Sequence, residues 1–214
     1  MNKKIKQAAS YCLGLLLLAF GVTFSIKSNL GVSPINSIPY VLSLITGLDQ
    51  GVLTTSVFCV FILMQIVMLR KDFKPINFLQ IVFSSLFGYF VTFSNSIWTF
   101  EAPNGYVFKL GLLVISMVFV ALGLMFYLAA DIVPMPAEGT MIAIQLKTGI
   151  EFSRIKVMFD TAMVIIAGIL SLVCFHELQG VREGTLIAAI GIGKILGILR
   201  KKYQKTVEDF VHNL

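Results

Sequence analysis

The sequence predicts an all-α polytopic membrane helical bundle, with six transmembrane helices plus two re-entrant or half-helices in two inverted repeats. Three observations predict it. Of the 214 residues, 57% are hydrophobic and only 13% are charged, against about 25% charged residues in a soluble domain. Long runs nearly free of charge recur at the length of a bilayer crossing. The first half of the chain also matches the second at a constant offset of 102 positions.

The runs follow in order. Tyr11 to Ile26 comes after Lys3, Lys4 and Lys6 and has the look of a secretory signal. No small-x-small cleavage site follows it, so it is expected to stay as the first membrane helix. Pro34 to Thr46 is apolar but only about a dozen residues long, too short to cross comfortably. Val52 to Leu69, Phe78 to Phe100 and Leu110 to Ala130 are long and uncharged but for their ends. Pro136 to Thr148 is a second short segment. Val157 to Phe175, interrupted only by Asp160, and Gly184 to Leu199, interrupted only by Lys194, complete the set. At 1.5 Å per residue each long run approaches the ~30 Å hydrocarbon core. The last is short and relies on local thinning or on snorkelling by Lys194. Residues 200–214 read as a basic tail.

Both short segments begin with proline and stop before a glycine, Gly47 or Gly149. Proline suits the first helical position, glycine the position after the last, and Ser33 suits an N-cap. At the 102-residue offset Ala19 falls on Ala121, Gly21 on Gly123, Phe24 on Phe126, Pro34 on Pro136, Thr46 on Thr148 and Gly47 on Gly149. Asn29 meets Asp131, and Asn36 meets Glu138. Repeat one covers about 11–100 and repeat two about 108–200 of a single membrane domain, 1–214. Each holds three long crossings, an odd number, so the second is inverted relative to the first, a recurring transporter plan. The alternative is that the short segments cross fully, giving eight helices and parallel repeats.

The formal charge of +6 does not point to nucleic acid, because the basic residues gather at helix ends. With six crossings one side holds the N-terminal lysines, Arg70, Lys71, Lys74, Lys147, Arg154, Lys156 and the tail. The other holds Lys27, Lys109 and Arg182. The positive-inside rule then puts both termini in the cytoplasm. Cys12, Cys59 and Cys174 lie in apolar runs without metal-ligand spacing and read as small packing residues.

The stretches Lys27-Ser28-Asn29-Leu30-Gly31-Val32-Ser33-Pro34, Pro134-Met135-Pro136-Ala137-Glu138-Gly139 and Gly184-Thr185-Leu186-Ile187-Ala188-Ala189-Ile190-Gly191 together resemble the YczE/YyaS/YitT group of bacterial polytopic membrane proteins over nearly the whole chain. The resemblance implies a multi-pass protein of the bacterial cytoplasmic membrane and carries no established general activity. It also implies an acid two positions after the proline of each half. Glu138 fits and Asn36 departs, while Asp160 matches a further acid of the group.

Ionisable groups at membrane depth are costly and therefore candidates for function. Glu138 sits in the first turn of a half-helix, where a carboxylate either caps the helix or holds a proton or cation beside a solute. The half-helix N-termini offer free N–H groups, lined by Ser33, Asn36 and Ser37 in one half and by Glu138, Gly139 and Thr140 in the other. One end is neutral and the other acidic, which suits a small polar or zwitterionic solute. Asp160 lies one turn after Lys156, as an ion pair or as a coupling or gating element. Asn29 and Asp131 satisfy turn backbone or line a vestibule. Gln65, Gln80, Asn95 and Gln145 read as interhelical hydrogen-bond partners. Small residues at Thr185, Ala189, Gly193 and Gly197 permit close helix packing, internally or in a homodimer. The sequence shows no phosphate-cradling loop, metal motif or catalytic constellation, so neither a cofactor nor an enzyme activity is expected. The leading expectation is a small-solute transporter or permease. The alternative is a non-transporting membrane factor that assists assembly, secretion or regulation of a partner system.

Overall fold

The structure is a computed structural model and describes residues 3–48, 50–101 and 104–212. Among these residues the chain forms eight α-helices and no strands: α1 (Lys3–Ser28), α2 (Ser37–Thr46), α3 (Gln50–Leu69), α4 (Gln80–Ile97), α5 (Tyr106–Ala129), α6 (Pro136–Thr148), α7 (Phe152–Phe175) and α8 (Glu183–His212). Short 3₁₀ turns lead into α2 at Pro34–Asn36 and into α4 at Pro75–Leu79. The helices α1, α3, α4, α5 and α7 are long and apolar enough to cross a membrane, with α3 and α4 counted together with their adjoining 3₁₀ turns.

The two short segments are helices of about 20 Å each, against a ~30 Å core. Their ends are built alike. Gly47 and Gly149 both take φ +71°, the left-handed conformation that closes a helix end and is cheap only for glycine. In each, the glycine N–H returns to the carbonyl four residues back. The preceding threonine donates to the carbonyl of Leu42 or Ile144, both at 2.8 Å, and accepts from the N–H of Leu48 or Ile150, both at 3.3 Å. Asn29 and Asp131 also correspond, at φ +51° and +50°. They end α1 and α5 in the left-handed region that Asn and Asp tolerate best among larger residues. The 102-residue offset thus holds in backbone geometry as well as in sequence.

The packing pairs up under the same offset. α1 lies against α5 over most of its length, and the contacts run antiparallel: Gln7 to Ala130, Ser10 to Phe126, and Gly21 to Ser116. The helices approach closely because Gly21 and Gly123 have no side chain. A Cβ on Gly123 would lie 2.7 Å from the Leu18 nitrogen, and one on Gly21 2.5 Å from a Val120 methyl. As α4 packs on α1, α8 packs on α5; as α3 packs on α6, α7 packs on α2. Each short helix therefore rests on a long helix of the other half.

The pairing is not complete: α8 also packs on α1, which α4 does not match on α5. α7 packs against α8, whereas α3 and α4 diverge around a groove of about 520 Å³. Gly193 of α8 meets Val157 and the Ser153 carbonyl of α7, and Ala189 joins Val164 and Val41 in a buried cluster. The small-residue stripe therefore packs internally. At the matching positions α4 carries Phe83, Phe87, Val91 and Asn95, and Phe83 packs edge-on against Tyr11 of α1.

Two expectations need correction. Ser33 makes no capping bond; the chain enters α2 through a 3₁₀ turn, so the Asn36 N–H takes the Ser33 backbone carbonyl instead. Cys12, Cys59 and Cys174 are exposed on the outer surface rather than packed, as befits a weakly polar group facing lipid. The basic stretch from residue 200 continues α8, which runs unbroken to His212, about 45 Å in all. Among the described residues α8 is not one of the helices both long and apolar enough to cross.

Candidate functional site

The proline at the start of each short helix and the left-handed turn before it bring both short-helix starts to the middle of the molecule. A cavity of about 90 Å³ lies there, lined by Ser33, Pro34 and Asn36 from the first half and by Met135, Glu138, Lys156 and Asp160 from the second. Five of the residues singled out in the sequence thus share one enclosure.

The second half supplies the charges. Lys156 Nζ donates to Asp160 Oδ1 at 2.8 Å, and both side chains are nearly or fully buried. Asp160 Oδ2 is buried without a hydrogen-bond partner among the described residues. Glu138 is 3% exposed; it lies within electrostatic reach of Lys156 and its carboxylate accepts its own backbone N–H. With all three ionised, the enclosure carries one uncompensated negative charge in a medium where charge is costly. It is suited to a proton or to a cationic group of a solute. Ser33 and Asn36 face this charge with neutral donors and acceptors.

The other candidates lie elsewhere. The Ser37 hydroxyl is buried and donates to the Pro34 carbonyl at 2.6 Å. Gly139 sits against Gln65, whose Oε1 would lie 2.7 Å from an added Cβ; it serves helix packing. Thr140 donates to the Phe61 and Pro136 carbonyls. Gln65 and Gln80 bond reciprocally at 2.8 and 3.0 Å, and Gln65 also reaches the Pro136 carbonyl at 3.0 Å. This polar knot of α3, α4 and α6 fixes the start of α6 beside the cavity. Asn95 is exposed and takes no part in it.

Two further cavities correspond across the repeats. A vestibule of about 420 Å³ is lined by Ile26, Asn29, Gly31, Val32 and Tyr40, with Arg182 at its wall. It shares Val22, Ser33 and Asn36 with the central cavity. At the 102-residue offset Leu128, Asp131, Val133, Pro134 and Ile142 line a space of only about 40 Å³. Tyr11 and Tyr127 fill it. The Tyr11 hydroxyl donates to the Val133 carbonyl at 2.9 Å, the Tyr127 hydroxyl accepts the Met135 N–H, and the rings lie 5.2 Å apart. Asn29 and Asp131 therefore line equivalent cavities, one large and one small. Sequence reasoning missed both tyrosines and Arg182. The available signal was the offset itself, which sets Tyr127 opposite Ser25.

Residues 5–201 match a family of unknown function, DUF6198. The chain belongs to this family. No curated protein and no solved structure matches the chain. The membership spans both halves and the whole central enclosure, so the site belongs to the family's own segment rather than to an appendage.

Proposed function

We propose that this DUF6198 member transports a small polar or zwitterionic solute across the bacterial cytoplasmic membrane, and that it shares descent with the YczE/YyaS/YitT group. In this reading α1, α3, α4, α5, α7 and α8 cross, α2 and α6 are re-entrant, the halves are inverted, and both termini are cytoplasmic. The antiparallel run of α1 along α5 and the basic end that unites Lys147 with Asp72 at 3.7 Å support that arrangement.

The observation that carries the proposal is the pair of equivalent cavities, about 420 and 40 Å³, on the two sides of a buried charged enclosure. Inverted repeats that exchange conformations would exchange these cavities, opening the tyrosine side as the other closes. Glu138 and Asp160 hold the cationic group of the solute, or a coupling proton, while Ser33 and Asn36 take its polar end. The test is solute uptake by the purified protein in liposomes under an imposed proton or sodium gradient, with Glu138→Gln as control. The expected result is flux of at least one small amine-bearing solute that Glu138→Gln abolishes. Absence of flux and binding across a broad panel, with co-purification of one stoichiometric partner, favours the assembly or regulatory factor instead.

A further inference from the structure

At the basic end of the molecule, away from the central enclosure, the start of α7 and the middle of α8 border a cavity of about 750 Å³. Four of its lining residues are cations: Arg154, Lys194, Arg200 and Lys201. The single acid of the lining, Glu151, accepts from the Ser153 hydroxyl at 2.5 Å, and it and Glu208 lie within electrostatic reach of Arg200. Arg200 is steadied with its guanidinium 5.1 Å from the Phe152 ring centre. The remainder of the lining includes Val157, Met158, Gly193 and Gly197, an apolar floor continuous with the outer face of α7, where Met158 is exposed.

Lys194 is the informative residue. It interrupts an otherwise uncharged stretch of α8 and projects from an exposed position rather than into the bundle. An ammonium there needs an anion or a route to the interface. The cavity supplies the route, and three more cations converge on the same place. A soluble anion would use the basic rim but not the apolar floor. An amphiphile with an anionic head uses both, and basic recesses between membrane helices on the cytoplasmic side suit that chemistry.

We propose that this cleft binds an anionic phospholipid, with the phosphate among Lys194, Arg200, Lys201 and Arg154 and an acyl chain along Val157 and Met158. The proposal is independent of the transport reading. The test uses the full-length protein, delipidated in detergent and titrated with phosphatidylglycerol, with phosphatidylcholine of the same chains, or with inorganic phosphate. Bound molecules are counted by native mass spectrometry. Expected is saturable phosphatidylglycerol binding about tenfold tighter than phosphatidylcholine and unaffected by an excess of phosphate. Lys194→Gln/Lys201→Gln should weaken it on the order of ten- to thirtyfold. Lys71→Gln/Lys74→Gln, outside the cleft, should change it by less than about twofold. Arg154→Gln, an exposed single change, should weaken it severalfold and guards against misfolding of the double variant. Equal binding of both lipids, an equal loss in the control pair, no loss in Arg154→Gln, or displacement by phosphate would each overturn the proposal.

Discussion

Lys156 lies between two carboxylates in a place that water barely reaches. Its bond to Asp160 at 2.8 Å compensates one charge, and Glu138 remains as a second acid nearby. Removing one partner of such a pair leaves an unpaired buried charge, which costs about 3–5 kcal/mol, whereas replacing both by apolar groups costs far less. Lys156→Met should therefore lower stability in detergent by about 3 kcal/mol or more, and Lys156→Met/Asp160→Leu should recover most of it. Thermal or denaturant unfolding monitored by helicity checks both. Glu138→Gln should behave differently. Its cap on the α6 dipole is worth about 1 kcal/mol or less, so the fold should survive while solute flux is lost. An equal stability loss in Glu138→Gln and Lys156→Met would reduce the carboxylate to a structural role.

The contact between α1 and α5 is the spine of the molecule, and glycines set its distance. Gly123→Val forces a branched side chain into backbone 2.7 Å away and should destabilise by about 3 kcal/mol, at or beyond the upper end of overpacking costs. Gly88→Val, where an added Cβ meets nothing within 4 Å, should be neutral to within about 0.5 kcal/mol. The same unfolding assay compares them. The tyrosine pair closes the loop ahead of α6 through the Val133 carbonyl and the Met135 N–H. Tyr11→Phe removes one of these bonds, worth about 1 kcal/mol. In a chain with the native cysteines replaced, a buried Met135→Cys probe should then react with thiol reagent about fivefold faster; an unchanged rate would show that the hydroxyl does not hold the loop. At this scale the sequence was legible where backbone chemistry dictates the element. Prolines and glycines bounded α2 and α6, and charge-free runs marked the long helices. The α3–α4 divergence was not read, because it depends on which face of α4 turns to α3, and the polar residues of α4, such as Gln80, Ser84 and Asn95, do not name the helix they face.

Over the whole molecule, the offset of 102 residues ties together helix ends, contacts and cavities. It placed Asn36 opposite Glu138 in the sequence, and the structure brings both to one enclosure. It could not show that Gly139 and Thr140 turn toward α3 while Glu138 lines the enclosure, since successive residues of a helical turn point different ways. Nor could it show which equivalent cavity is the larger, because Tyr11 reaches the smaller one from a distant helix. The account rests on inversion of the two halves, which places Asn29 and Asp131 on opposite sides of the membrane. The decisive measurement is labelling of Asn29→Cys and Asp131→Cys, each in a cysteine-free chain, with a membrane-impermeant thiol reagent applied to intact cells and to inside-out vesicles. The account predicts that Asn29→Cys reacts in intact cells and Asp131→Cys only in inside-out vesicles. Labelling of both from the same side would contradict it.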